Sequence, residues 1–466
     1  MSLDPQTLLS AAVLAPVWPA AAALVVGGLG LRSRRPSEHA IVYIAQAALW
    51  LSFLSVLAGG LGLLLSHGRP ADLRVGTFYQ AGDYGFELRF LIDKLAVAVA
   101  TLAGLLLLAT SRFSAHYLHR EPGFLRFFVL MLIFGSGMQL LLLGGSYDLM
   151  FAGWELVGLT SVLLVGFFHE RPGPVRASLR LLVTYRLCDI GLLLAPVWLH
   201  LSIHSSAFGD VRAALLSPLG GHGDALPTTT VALLLIVAAM GKSAQVPVGG
   251  WLPRAMEGPT ASSAVFYGGL SVHAGVYLLL RSAPLLDHSP TARVALVVIG
   301  GVTAVMAALS GQVSADAKAG LAYATISQVG LMFVECGLGL YKLATAHLIA
   351  HALLRYYQFL RTPSALQDAL ARRAAIGTHR RDETLPGRLH LTADLRRFLY
   401  RLAIERFEVE VALDRWLARP ILAAARHLGA LETRLVERLA GVRSPRGNGH
   451  PGSSPGASRD AGGGAP

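Results

Sequence analysis

The chain has 466 residues, of which 53% are hydrophobic and only 15% charged, and its mean hydropathy is +0.53. A soluble domain carries roughly a quarter of its residues as charges to cover its surface, so a cytosolic enzyme, a disordered scaffold and a secreted disulfide module are excluded, leaving a polytopic membrane protein. The net charge of +12, from 40 Lys and Arg against 28 Asp and Glu, collects largely in loops and tail, which suits membrane topology better than nucleic-acid binding.

A membrane-spanning helix needs about 20 mostly apolar residues. Such runs occur at 7–31, 39–65, 90–112, 124–145, 147–169, 176–203, 228–247, 256–281, 291–311, 319–340 and 342–361. The expected fold is therefore all-α, a polytopic transmembrane bundle of about eleven spans. The first run is long, lacks a basic leader and is followed at once by a second span, so it reads as a true helix and not a cleavable signal. Residues 72–90 alternate apolar and polar around Gly82-Asp83, the pattern of a small extramembrane hairpin sealing one face.

Arginines mark one set of short loops: Arg32, Arg34 and Arg35, then Arg112 and Arg120, then Arg171 and Arg176, whereas the loop around Asp148 has no basic residue. The positive-inside tendency places those loops in the cytoplasm of a cell inner membrane, with the N-terminus outside and the tail cytoplasmic. Three regions are expected: a transmembrane domain at 1–361, a basic helical tail at 362–442, and a Gly/Ser/Pro-rich terminus at 443–466 that is expected to be disordered. In the tail, Leu395, Phe398, Leu402, Trp416, Leu428, Leu431 and Leu435 recur at helical spacing among Arg and Glu. This is a helix or helix pair, either a cytoplasmic hairpin packed on itself or an interfacial element along the membrane or a partner subunit.

Cys188 and Cys336 both lie in apolar runs and read as packing residues, so no disulfide framework, zinc site or iron–sulfur site is expected. Neither a nucleotide loop nor a flavin motif is visible, so no cofactor and no redox chemistry of the chain's own are expected.

Ionisable groups inside a membrane are expensive and point to function. Glu155 lies well inside the fifth span. Arg186 and Asp189 share one face of the sixth, Lys242 lies near the end of the seventh, Lys318 opens the tenth, and His347, His351 and Arg355 form a stripe on the eleventh. Each has a bland explanation, a snorkelling lysine or a self-neutralising pair, but together they can relay protons through trapped water. Burial disfavours the charged form of an amine and a neighbouring carboxylate favours it. Lys242 with a movable carboxylate such as Glu155 beside it is thus a switchable proton site. Pro247 is expected to break the seventh span one turn beyond Lys242 by depriving the Ser243 carbonyl of its partner. Irregular backbone at that depth is tolerated where protein encloses it or where it lines a wet cavity. Gly258-Pro259-Thr260 and Ser262-Ser263 add small, hydroxylic surface, although a merely packed glycine-rich bundle would contain them too.

The runs Gly153-Trp154-Glu155, Arg186-Leu-Cys-Asp189, Gly241-Lys242-Ser243-Ala244-Gln245-Val-Pro247, Trp251-Leu252-Pro253, Gly258-Pro259-Thr260, Ser327-Gln328-Val-Gly330 and His347-Leu-Ile-Ala-His351 resemble the antiporter-like membrane subunits of NADH:quinone oxidoreductase, nearest to its subunit L, over about residues 40–361. The same domain occurs in Mrp-type antiporters and in the membrane subunit of Dab-type inorganic-carbon accumulation complexes. The resemblance implies a bundle with inverted repeats and broken helices. It implies Glu155 as the carboxylate facing Lys242, Lys242 as the switching amine, Lys318, His347 and His351 as connecting relay, and Arg186 with Asp189 as a supporting pair. Arg355 stands where relatives commonly carry Lys, and a guanidinium does not release its proton, so it reads as a fixed positive barrier. Tyr267 stands where a His is usual, and His273 further along the same helix is the candidate substitute. Relatives continue through further spans, one bearing a terminal relay lysine, while no apolar run of spanning length follows residue 361. A second half-channel is therefore expected to be incomplete. Residues 405–422 are similar to the segment preceding the lateral helix of subunit L.

The leading expectation is a proton-conducting, non-redox subunit of a multisubunit energy-coupling complex. The alternatives are a Dab-type subunit whose proton influx drives a soluble zinc-dependent CO₂-hydrating partner, and a structural subunit that does not conduct. Expected partners are the bilayer, protons and other subunits, either a quinone-reducing redox module or that zinc protein.

Overall fold

The computed structural model describes residues 4–31, 36–82, 84–216, 226–314, 316–362, 392–405, 407, 409, 415 and 419–440. Arg32, Arg34, Arg35, the basic stretch from 363 to 391, Trp416 and the terminus from 441 onward lie outside the described residues.

The bundle consists of α1 (Pro5–Gly30), α2 (Glu38–Leu65), α3 (Lys94–Tyr117), α4 (Phe124–Leu143), α5 (Tyr147–Val165), α6 (Pro172–Ile203), the short α7 (Phe208–Leu216), α8 (Thr228–Lys242), α9 (Trp251–Arg254), the interrupted α10 (Thr260–Arg281), the short α11 (Ala283–Asp287), α12 (Pro290–Gln312), α13 (Ala317–Gly337) and α14 (Tyr341–Arg361). Nine helices among the described residues are long and apolar enough to cross a membrane. Two of the eleven expected spans fall outside that set for physical reasons. Helix α8 has only 15 residues, and α14 carries Lys342, His347, His351, Arg355 and Arg361 along its 21 residues. Polar residues cap the helices where each run begins: Ser37, Asp93, Ser146, Ser289 and Asp316 each accept a first-turn amide hydrogen bond.

The expected hairpin forms from β1 (Ala71–Ala81) and β2 (Tyr84–Ile92), antiparallel, with Gly82 at φ +57 in the turn. It is sewn to the bundle where Gly145 N donates to Arg89 O (2.8 Å), and Gly145 O in turn accepts from Phe208 N of α7 (3.0 Å). The Arg281 guanidinium grips Asp93, the cap of α3, at 2.5 and 2.9 Å, and fixes the end of α10 at this hairpin face. At the opposite face, Arg126 donates to Phe167 O (2.7 Å) and Glu38 meets His119 (2.7 Å).

Lipid gives helices no hydrophobic reason to associate, so close packing of small residues does that work. A Cβ on Gly153 would lie 2.4 Å from Leu141 N, one on Gly191 2.1 Å from Leu234 O, and one on Gly300 2.4 Å from Gly330 O. These glycines set the α4–α5, α6–α8 and α12–α13 crossings.

Two interruptions shape the interior. The seventh span was expected to run to Pro247, but its helix stops at Lys242, five residues earlier. The chain turns at Ala244, whose φ of +53 is rare for a residue with a Cβ, and Gln245 N reaches back to Met240 O at 2.9 Å. The Ser243 carbonyl is not orphaned by Pro247, because the Gln245 side-chain amide donates to it at 2.8 Å. Val246–Pro247 is a cis peptide. The second interruption lies within α10, which passes from an α turn (Thr260–Ser262) through a wide π turn (Ser263–Gly269) and a 3₁₀ turn (Ser271–His273) to regular helix at Ala274. Every residue of its apolar window is buried, the setting in which irregular backbone survives at membrane depth.

The compact unit extends to Val409 and includes α15 (Ala393–Ile404), which packs on α12 where Ser310 Oγ donates to Ala403 O at 3.3 Å. Residues 410–466 form a second unit, whose described helix is α16 (Arg419–Ala440).

Candidate functional site

The end of α8 delivers Lys242 to the centre of the bundle, where its side chain is fully buried. Its Nζ donates to the Trp154 carbonyl at 3.1 Å and sits 4.2 Å from the centre of the Tyr185 ring and 4.8 Å from that of Trp154. An ammonium facing two aromatic faces and a carbonyl is held by their negative electrostatics without a carboxylate in contact. Gly158 makes the room, since a Cβ there would stand 2.8 Å from Nζ.

Glu155 is paired with Arg186 instead of touching Lys242. Arg186 also lies 3.5 Å from Asp189, as the i,i+3 spacing predicts, and Asp189 accepts the Trp154 indole N–H at 2.5 Å. Trp154 therefore joins the two halves of the site: its carbonyl holds Lys242 and its ring nitrogen holds Asp189. One oxygen of Glu155 is buried without a hydrogen-bond partner.

A second cluster lies where α10 meets α14. His273 Nε2 and His351 Nδ1 are 2.9 Å apart, and Arg355 Nε donates to His351 Nε2 at 3.2 Å. His347 is one turn away, bonded to Glu335 (2.9 Å) and Gln328 (3.1 Å) of α13. The resemblance's substitute histidine, His273, thus contacts the stripe, whereas Tyr267 keeps a buried hydroxyl without a partner. Pro247 lies beyond the end of α8 and contributes no group to either cluster.

Between the clusters runs a row of rings, Tyr185 to Trp251 at 5.2 Å and Trp251 to Tyr267 at 5.6 Å. Ser243, next to Lys242, donates to Val272 O at 2.8 Å, beside His273. The buried Tyr185 OH bonds to Ser271 and the buried His273 ring to the Gly269 backbone, while Tyr267 OH is buried without a protein partner. Buried polar atoms of this kind are ordinarily served by water.

Lys318 joins neither cluster. It lies toward the opposite face, donating to Thr260 Oγ1 at 2.9 Å, and Thr260 in turn meets Tyr117 OH at 3.2 Å. It borders a cavity of about 820 Å³ with Arg176, Arg180, Arg254, Glu257 and Asp316.

Sequence reasoning missed Glu335 although a carboxylate stood in its tenth span. It also missed Trp154 and Tyr185, whose aromatic character is ordinary for a membrane helix until the fold turns both rings toward Lys242.

Comparison with known proteins fits this geometry. Residues 145–376 match the family described as NADH:quinone oxidoreductase/Mrp antiporter, TM. The chain is 34% identical over 351 residues to NADH-ubiquinone oxidoreductase chain 5 of Rhizopus stolonifer, covering 75% of this chain and 52% of that protein. It is 32% identical over 357 residues to NADH-quinone oxidoreductase subunit L of Neisseria meningitidis, with the same two coverages. The structure of the Mrp complex from Dietzia sp. aligns with a TM-score of 0.63 at 28% identity, covering 76% of this chain and 37% of that one. The chain spans about half the length of the relatives it matches. It belongs to the antiporter-like membrane subunit family of NADH:quinone oxidoreductases and Mrp antiporters.

Proposed function

We propose that this chain is a proton-conducting membrane subunit of a multisubunit energy-coupling complex. The observation that carries this reading is the fully buried Lys242 ammonium beside the Glu155–Arg186–Asp189 cluster. From it, the buried hydroxyls of Tyr185, Ser271 and Tyr267 lead toward the His273–His351 pair. An amine, carboxylates and imidazoles along a hydrated interior suit H⁺, whereas Na⁺ would want several oxygen ligands.

In this reading, rearrangement of the Glu155–Arg186 pair changes the field at Lys242, and Lys242 gives its proton to, or takes one from, water reaching His273. Lys318 serves access from the opposite face, through Thr260 and the basic cavity around it, and does not bridge Lys242 to the histidines. That face carries Arg112, Arg120, Arg171 and Arg176, which supports its being cytoplasmic in a cell inner membrane, with the N-terminus outside.

A membrane partner is favoured by Arg186, whose side chain is 47% exposed among the exposed Val183, Leu187 and Ile190 of α6. A guanidinium on a lipid-facing stripe is costly, about 3 kcal/mol or more at the bilayer centre, so another subunit covers it in the assembled complex. Co-purification separates the candidate complexes: a quinone-reducing assembly supports an oxidoreductase-like role, and a single large soluble zinc protein supports inorganic-carbon accumulation. The function itself is tested by reconstituting the chain with its partners and measuring pH-driven proton flux. Lys242→Ala is expected to abolish that flux, and wild-type flux in this variant would overturn the reading.

A further inference from the structure

Helices α5 and α6 are antiparallel neighbours bridged at two levels. At one level stand Glu155, Arg186 and Asp189. At the other, nearer the hairpin, His200 Nε2 and Asp148 Oδ2 are 2.8 Å apart, and Ser206 Oγ donates to the same oxygen at 2.5 Å. Asp148 precedes Glu155 by seven residues on α5 and His200 follows Asp189 by eleven on α6, so each pair lies on one face of its helix. The levels are about 10 Å apart along α5, at 1.5 Å per residue.

A groove of about 140 Å³, open on the outer side of α6 where Leu193 and Val197 are half exposed, is lined by Asp148 and His200 together with Phe86, Phe151, Leu192 and Pro196, and so ends within a turn of Asp189 on α6. Pro196 inside α6 has no N–H for the Leu192 carbonyl, which provides a polar group in an otherwise apolar wall. A second cavity of about 270 Å³ shares Asp148 and His200 and opens at the hairpin face. The charged or titratable groups facing the pair there are Glu87, Arg74 and Arg89 from the hairpin, Asp210 from α7, and His204 at the end of α6 itself. Asp148 and His200 are thus the two titratable residues common to a polar vestibule at the hairpin face and a groove along α6 that leads toward the Glu155–Arg186–Asp189 cluster.

We propose that Asp148 and His200 form a proton port on the hairpin face, through which the Glu155–Arg186–Asp189 cluster exchanges protons with water outside the bundle. The imidazole takes a proton from vestibule water. The incoming proton enters on Nδ1, the Nε2 proton crosses the Nε2–Oδ2 hydrogen bond to the carboxylate, and the carboxylic acid releases it to water in the groove. One proton has entered and one has left, the pair regains its charge, and rotation of the imidazole returns an N–H to the carboxylate before the next transfer. The reverse order carries a proton outward. This port rests on the proton-conducting reading above.

The test is proton flux in proteoliposomes containing the complete complex, with pH varied on the hairpin side alone. Asp148→Asn and His200→Gln are expected to lower flux about tenfold or more, the range of a lost proton-transfer group, and to flatten its dependence on hairpin-side pH. Because Asp148 also anchors Ser206, Leu193→Trp serves as a variant that leaves the pair intact. Residue 193 is 49% exposed on the outer side of α6, where the indole fills the groove, so flux is expected to fall; because Leu193 shares a helix face with Arg186, flux is compared in preparations shown by size-exclusion chromatography to be the intact complex. If Lys242→Ala abolishes flux but Leu193→Trp and His200→Gln conduct as wild type with an unchanged pH profile, the port is wrong and the proton-conducting reading stands. If Lys242→Ala conducts as wild type, the reading fails and the port with it.

Discussion

Lys242 rests on the main-chain carbonyl of Trp154, 3.1 Å away, while Glu155, the next residue along α5, is turned to Arg186. The amine and the carboxylate that would modulate it are therefore held by different partners on consecutive residues of one helix turn. A small rotation of that turn moves both at once, which makes the contact a sensitive point for perturbation.

Gly158→Ala tests this. The added methyl would stand 2.8 Å from Nζ, the free end of a flexible chain, and 3.5 Å from Tyr185. The bundle is expected to assemble normally because the side chain can yield. The ammonium must leave its carbonyl, however, and proton flux is expected to fall about tenfold, as for a misplaced proton-transfer group. Unchanged flux in a fully assembled Gly158→Ala complex would show that the Trp154 contact is not part of the conducting arrangement.

Arg186→Leu separates assembly from folding. The substitution continues the apolar stripe of Val183, Leu187 and Ile190 but leaves Glu155 and the buried Asp189 without their cation, a destabilising change, so the comparison is made on subunit that thermal unfolding shows to be inserted and folded. If Arg186 faces a partner subunit, the complex loses an ionic contact and the variant is expected to be recovered increasingly as free subunit on size-exclusion chromatography in mild detergent. Full retention of the complex would point to lipid or water at that face instead.

Much of the fold was legible because lipid imposes simple rules: long apolar runs became helices, and the alternation at 72–90 became a hairpin turning at Gly82. The charged positions stood out for the same reason, and Arg186 lies 3.5 Å from Asp189, a pairing their spacing allows. The partners were not legible. Nothing in the spacing of Lys242 and Glu155 says that an intervening carbonyl and two rings take the ammonium, because the contact joins α8 to α5 across 88 positions of sequence. The end of α8 was misplaced because proline is a conspicuous helix breaker, while the turn is made by Ala244 in a left-handed conformation that composition does not signal. Asp148 and His200 escaped notice because each lies near a helix end, where a polar residue is unremarkable until both helices are placed side by side.

The hairpin should respond to pH through Asp72. Burial pushes its carboxyl up, the nearby Arg89 guanidinium draws it back in part, and Asp210 pushes it up again. Because the fold raises this group, its contribution to docking is fullest below the ordinary carboxylate range and is lost as pH rises through the elevated value. Asp72→Asn removes that dependence. Hydrogen exchange of hairpin amides, corrected for intrinsic rates, is expected to show better protection in the variant at neutral pH, with the difference vanishing in acid. A variant less protected than wild type at neutral pH would mean that the attraction to Arg89, 4.0 Å away, outweighs burial.

Arg355 sets the proton order in the histidine pair. A guanidinium offers only donors, so the His351 Nε2 that faces Arg355 Nε at 3.2 Å must accept. The ring proton of His351 is then on Nδ1, donated to His273 Nε2 at 2.9 Å, which in turn leaves the His273 proton on Nδ1, directed at the Gly269 backbone. Gln358 holds the guanidinium in place at 2.8 Å. Nitrogen-15 spectra of the labelled rings are expected to report the Nδ1–H tautomer at both positions. In Arg355→Gln, whose amide can accept as well as donate, His351 is expected to become a mixture of tautomers. Arg355→Lys replaces a fixed donor with one that can release its proton, and flux is expected to rise severalfold if the guanidinium is what halts protons at this point. An Nε2–H signal from His351 in the wild-type protein would overturn the assignment, because two donors would then face each other across the contact with Arg355.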